Sequence, residues 1–514
     1  MFDHIAYPAR RAFLLSSAAL SATFAFGCAH SNPGQPSNND EIFSWVTDIY
    51  EIGRAGRYGY RMPGTEADHR AARYIADKLR SFGCTDVVLE PVPLALALPE
   101  EWRLVAHAPE GAQELECSFV RYAAFTDAEG VRAELAYLGE GAEADFENTD
   151  VRGKIVVVDI VESGVVPKMG DTYFRYDPDN TIALDEERPK WPLKNFHSSY
   201  RMAHERGAAG WIGVLKVFND DTHQYLHAYV QYEIPALTVS ANTGEALRAL
   251  ARNGGEATLV LTGTRGQGEG YNVYGYVQGQ RSDEFVVSKT HYDGWATNEA
   301  SGAAVTMAVA QRLAALPSGA LERTHMFFFR ANHFGVGWSM HADERGLTPE
   351  QAQQIYGMSP GWDDFSTRVW EAMPRTAAAN NIEMIGRQYH YEDGAWRPTG
   401  LPAIRYWGVT GPEGGANPIL LEAVRNAIRS NNLTRSQVSN FFVGDGSLYP
   451  RQGVPFVNFI SHNVYQFTNK DTPETVMRED LENAAKAMTD IALAEDRADF
   501  DALRPAVDVA FSHG

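Results

Sequence analysis

From Tyr271 onward, short hydrophobic runs alternate with stretches of helical periodicity, and this alternation constrains the fold more than any other feature. Residues 272–277, 285–290, 324–330, 377–384 and 455–460 read as strands, and helices are predicted near 301–316, 417–430 and 473–494. Strands that are apolar throughout must be covered on both faces, so strands separated by helices imply an α/β sheet sandwiched between helical layers. The chain has 514 residues, enough for a large core and more than one domain.

The N-terminal third has a different texture. Residues 1–28 read as an export signal, with Arg10-Arg11-Ala12-Phe13-Leu14-Leu15 of twin-arginine type and an apolar stretch from Ala18 to Phe26 that is too short to span a bilayer. Gly27-Cys28 also fits a lipoprotein cleavage site, and simple cleavage nearby is the alternative. An exported protein, periplasmic or held to a membrane by lipid on Cys28, is therefore expected. Residues 29–40 form a Ser/Asn/Pro/Gly tether. Arg61-Met62-Pro63-Gly64-Thr65 reads as a loop. A helix over 66–82 follows, with Ala71, Ala72, Ile75, Leu79 and Phe82 at helical spacing and Gly83 closing it. Between 91 and 265 short strands and turns dominate, at 153–159, 210–214 and 234–239 among others. The segments 41–90 and 266–514 then form one body that the 91–265 segment interrupts.

Composition narrows the partners. The formal charge is −21, from 45 basic and 66 acidic residues, with no extended run of Lys and Arg. Nucleic acids and anionic membrane surfaces need a basic footprint and are excluded as partners; membrane contact is left to the Cys28 lipid. Apart from Cys28 the cysteines are Cys84 and Cys117, consistent with one disulfide or two thiols.

The chemistry concentrates where a strand ends and a helix begins. His291-Tyr292-Asp293 closes the strand 284–290, and Asn298-Glu299-Ala300-Ser301-Gly302 opens a helix. Further along stand Asn332-His333, Asn381-Ile382-Glu383-Met384-Ile385-Gly386, Gly453-Val454-Pro455 and Thr468-Asn469-Lys470-Asp471-Thr472. In this order, and with the Arg61 loop, these motifs resemble the zinc-dependent aminopeptidase family that includes glutamate carboxypeptidase, the transferrin receptor and glutaminyl cyclase. The resemblance spans roughly residues 45–495. It implies an α/β fold, a mixed central sheet flanked by helices, with an inserted mainly-β protease-associated domain at 91–265.

The same resemblance shows departures at the site. Active members hold two zinc ions through a bridging Asp, two His and acidic ligands, with a Glu as base. Here Asn298 stands at the bridge, Asn332-His333 at the Glu-Glu pair, Glu383 at the strand Asp and Phe467 at the late His, so His291 alone keeps its type. Two divalent cations in close proximity need carboxylates to offset their repulsion, and an amide cannot accept water's proton at neutral pH. The resemblance therefore implies one divalent metal, zinc first and iron or manganese next, on His291, His333 and Glu383, with Asp293 behind His291. Glu299 is the candidate replacement base, with Asn298 and Asn332 at altered catalytic positions. Tyr292, Trp295 and His462 are candidate substrate contacts. Each has a plain structural alternative: core packing for Tyr292 and Trp295, a loop histidine for His462, a helix N-terminal carboxylate for Glu299. His223 and His227 share helical spacing but lack the intervening Glu of a metalloprotease helix. The functions left open are an altered hydrolase or lyase acting on a peptide-like or small-molecule substrate, an amide hydrolase using Glu299, and a non-catalytic binding protein.

Overall fold

The computed structural model describes residues 36–161, 172–182, 195–218, 220–222, 234–294, 298–331, 333, 366–411, 415–440, 446 and 448–505. The export signal, His223, His227, Trp295, Asn332 and the side chain of Asn298 lie outside the described residues.

At the heart of the sheet, Arg281–His291 runs parallel to Arg323–Arg330 on one side and to Thr376–Ile385 on the other. Thr376–Ile385 in turn pairs parallel with Phe456–Ser461. The chain leaves Arg281–His291 to one flank and later returns to the other, so a crevice opens at the carboxyl end of this strand, the usual place for a site in an open α/β sheet. His291 is the last residue of the strand and pairs with Arg330.

The helix Asn298–Ala314 crosses directly over this point. It is built of small residues, and Ala300, Ala303, Ala304, Ala308 and Ala310 are all buried. Gly302 has a specific reason: a Cβ there would collide with the carbonyl oxygens of Ile382 and Glu383. Ser301 Oγ accepts the Ile385 backbone N–H at 2.9 Å, fastening the same contact. The Ala-Ser-Gly motif thus lets a helix lie on the backbone of the neighbouring strand. The helices Asn39–Arg54 and Leu481–Arg497 share the apolar core on this side.

Several elements fall where the sequence puts them. The helix Glu66–Phe82 starts on Thr65 as N-cap and stops on Gly83 at φ 92°, a left-handed conformation that suits glycine. The predicted helix over 473–494 differs. Two single 3-10 turns, Pro473–Thr475 and Arg478–Asp480, precede Leu481–Arg497. Between those turns the Met477 backbone N–H is bound to Ile385 O, so tertiary pairing competes with the first helical turns.

Segment 91–265 holds more strand than helix among its described residues. Ile155–Ile160, Gly210–Leu215 and Ala236–Ser240 form a parallel run, with the helices Phe196–Glu205 and Ala241–Arg252 packed beside it. The segment is carried by a long antiparallel ribbon, Thr85–Ala108 against Glu256–Val277. Through Glu256–Val277 its strands continue into the central sheet, giving one sheet of 15 strands among the described residues. Cys84 and Cys117 are both free thiols.

Candidate active site

The site grows from His291. Its ring is wholly buried, and its Nε2 lies 3.0 Å from Glu299 Oε2 on the first turn of the crossing helix. Its Nδ1 faces Asp293, 3.3 Å from the backbone oxygen and 3.6 Å from Oδ1. Burial alone would push the imidazole down, but the Glu299 and Asp293 carboxylates outweigh it and hold His291 well above the ordinary histidine range. Glu299 is fixed from behind by Gln466, whose Nε2 donates to Oε1 at 3.1 Å.

Arg61 closes the other side. Its Nε donates to Tyr292 O at 2.6 Å, and its backbone pairs with Gly294 in both directions. It is fully buried, which draws the guanidinium down to about 10 against the upward pull of Glu299, Asp293, Asp471 and Asp68. Asp68 accepts the Gly64 N–H at 2.9 Å. Burial and then the Asp293 charge push its carboxyl up to about 8, opposed by the Gly64 hydrogen bond, Arg121 and Arg61. A buried carboxyl next to another carboxylate takes up a proton more readily than one in water.

The structure separates the ten residues singled out by sequence. It joins His291, Asp293 and Glu299. It brings His333 to His291 as a stack, with ring centroids 4.1 Å apart and planes 12° from parallel. A metal bonds an imidazole nitrogen in the ring plane at about 2.0–2.1 Å, and nearly parallel planes meet only on the order of 15 Å away. In this arrangement the two rings do not point at one ion, so the expected His291–His333–Glu383 set would need one ring to turn. Glu383 is buried in its strand and accepts from Asn381 Nδ2 at 2.8 Å. No group of three or more His, Cys, Asp or Glu side chains forms a metal cage among the described residues.

Two substrate candidates also move. Tyr292 is part of the apolar core, with its hydroxyl donating to Tyr271 O at 2.8 Å, because the residue after a strand-end side chain turns to the opposite face. His462 is half-buried just after the strand Phe456–Ser461, and its desolvation lowers the imidazole to about 4, so it is neutral at physiological pH. Phe467, at the late-histidine position, packs into the core of segment 91–265, and the polar contact comes from Gln466 one residue earlier. Only a shift of one residue in the expected motif would have pointed to Gln466; Arg61 and Asp68 carried no signal beyond the loop itself.

Among the described residues, His291 Nε2 and Glu299 Oε2 form a converging donor pair that a metal could take. Glu299 Oε2 accepts no aligned hydrogen bond from a described residue despite its short approach to His291.

Solved structures share this fold. BSAP, a zinc aminopeptidase from Bacillus subtilis, matches with a TM-score of 0.59 and 19% identity over 92% of this chain and 99% of that one. A peptidase M28 precursor from Shewanella amazonensis matches at 0.60 and 18% over 90% and 98%. An aminopeptidase from Aneurinibacillus sp. strain AM-1 gives 0.52 and 18% over 92% and 96%. Identities this low establish the fold and leave the chemistry to the residues. No family model and no curated protein matches the sequence.

Proposed function

We propose that this chain of aminopeptidase fold is an exported, metal-dependent enzyme of hydrolase type with a single cation between His291 and Glu299. One observation carries the reading: two buried donors stand 3.0 Å apart, while Asp293 lies behind the one and Gln466 holds the other. Two ligands on one tetrahedral zinc stand about 3.3 Å apart, so little movement separates this pair from a ligating one. An imidazole and a carboxylate suit zinc first, with iron or manganese as alternatives, and the zinc aminopeptidases of the same fold agree with that order. A divalent cation bound there supplies Lewis-acid polarisation of a substrate carbonyl or of water.

The remaining work falls to the chain's own residues. Asp293 fixes the His291 tautomer, and Gln466 fixes the rotation of the Glu299 carboxylate. Arg61 offsets the carboxylate charge and locks the Tyr292–Gly294 backbone. Asn332 cannot serve as base, so a hydrolytic step would have to place proton acceptance on Glu299. A peptide-like or small-molecule substrate with a polarisable carbonyl fits this set, and a lyase acting on such a compound uses the same groups.

A second reading, a non-catalytic binding protein, is favoured by the same contact seen as an ion pair. A protonated His291 satisfies Glu299 without any cation. Elemental analysis of the mature protein separates the two. About one equivalent of metal per chain, lost in both His291→Ala and Glu299→Gln, supports the enzyme. Two equivalents would require a second cation site. None after incubation with zinc, iron and manganese in turn sinks the metal reading and leaves the binding protein. Export is tested by fractionation: Arg10→Lys with Arg11→Lys should retain the chain in the cytoplasm, and Cys28→Ser should free a lipid-anchored form from the membrane.

A further inference from the structure

We infer that segment 91–265 is part of the site's machinery: through one shared apolar core it positions Gln466 on Glu299 and Arg61 on the Tyr292–Gly294 backbone. The argument is independent of whether a cation binds.

Two short loops reach the site from outside the segment, and each shows the same alternation. Tyr60 and Met62 are buried in the core formed by the strands Ile155–Ile160 and Gly210–Leu215, while Arg61 between them turns to Tyr292 O and Gly294. Tyr465 and Phe467 are buried in that same core, while Gln466 between them turns to Glu299. Both triplets are tight turns, closed by the Met62 N–H to Tyr60 O and by the Thr468 N–H to Tyr465 O, each at 3.0 Å, so anchoring the flanking side chains in the core fixes the turn that aims the middle one. Phe467 is held at φ 66°, a left-handed conformation disfavoured for a bulky side chain, and its burial in this core is what retains it.

The segment also grips each loop directly. Phe218 stacks on Tyr465 with ring centroids 5.5 Å apart at 18°, and Asp220 pairs with Lys470. Arg121, itself buried, donates to Pro63 O at 3.2 Å. A lobe that only bordered the substrate path would have no need to bury the residues on either side of Arg61 and Gln466. Phe218, Tyr465 and Phe467 are therefore positioning residues for the Glu299 carboxylate, acting through Gln466.

The test uses the full mature chain with ¹⁵N-labelled glutamine side chains, the Gln466 amide being assigned by its disappearance in Gln466→Leu. Phe218→Leu keeps an apolar side chain and removes the ring stack. The Gln466 amide should then shift to a solvent-like position, and the Thr468 amide, bonded to Tyr465 O, should exchange about tenfold faster. Phe218→Tyr should restore both. Asp220→Asn, a surface change that cuts the Lys470 pair, should move both signals in the same direction and guards against a misfolded core variant. Unchanged Gln466 and Thr468 signals in both Phe218→Leu and Asp220→Asn overturn the inference. Zinc titration adds a functional arm: Phe218→Leu and Gln466→Leu should each weaken binding about tenfold, with no further loss in the double variant. Independent, additive losses would also overturn it. If wild type binds no zinc while the Gln466 signal still responds, the metal reading fails and the positioning role stands.

Discussion

At the level of single residues, charge and burial decide what the site can do. His291 lies between two buried carboxylates, so removing it leaves Glu299 and Asp293 with the Arg61 charge to offset them and their near partner gone. His291→Ala should cost about 3–5 kcal/mol of stability in urea unfolding, the usual penalty for breaking a buried pair. Glu299→Gln should cost clearly less, because the amide carries no charge and still meets Gln466. Asp68 gives a pH signature. Its native carboxyl titrates at about 8, above the ordinary value near 4, so the native state holds the proton more tightly. That contribution is fully present below the ordinary value and is lost as pH rises through the native one. Stability should therefore fall as pH rises from about 4 to about 8, and Asp68→Asn, which cannot ionise but still accepts from Gly64, should flatten the fall. Glu495, raised to about 8 by burial, leaves a residual slope in that variant. His462 acts oppositely, since its depressed value removes stability as pH drops below about 6.5. An Asp68→Asn profile parallel to wild type would contradict this assignment.

Among the secondary-structure elements, the crossing helix Asn298–Ala314 is the most demanding. Its approach to Thr376–Ile385 leaves no room for a methyl group at Gly302. Gly302→Ala should lower stability by about 1–3 kcal/mol as an overpacked contact, with a matching drop in unfolding temperature. The variant should also disturb the site, because the same helix carries Glu299 one turn away. An unchanged melting curve would show that the helix can slide. The central strands were legible in sequence because apolar runs of six to eight residues between helices have one stable solution. The ribbon Thr85–Ala108 with Glu256–Val277 was not. Pro91, Pro93 and Pro99 in one strand, and Gly263, Gly266, Gly268 and Gly270 in the other, argue locally against long strands. Pairing along the whole ribbon overrides that local bias. The hairpin Arg387–Glu392 with Ala395–Pro402 escaped notice for a related reason, since its polar, exposed strands carry no hydrophobic signal.

For the molecule as a whole, the sheet runs without interruption from segment 91–265 into the central strands, so the two share structure as well as chain. No described helix is long and apolar enough to cross a membrane. A cation bound only by the folded protein stabilises it by mass action, by about 2.7 kcal/mol at a hundredfold excess over its dissociation constant. Zinc should thus raise the unfolding temperature of the wild type by a few degrees and leave His291→Ala unmoved. A shift of equal size in that variant would place the zinc elsewhere.

The sequence by itself determined the α/β architecture and the strand-end position of His291. Those features are local: periodicity, order of motifs and residue type. The tertiary structure alone decided that His333 stacks on His291, that Gln466 and not Phe467 meets Glu299, and that Arg61 and Asp68 share one buried cluster with them. These depend on side-chain direction and on distance between segments hundreds of residues apart, set by the packing of segment 91–265 against the site loops and of the Asn298 helix against Gly302's neighbouring strand.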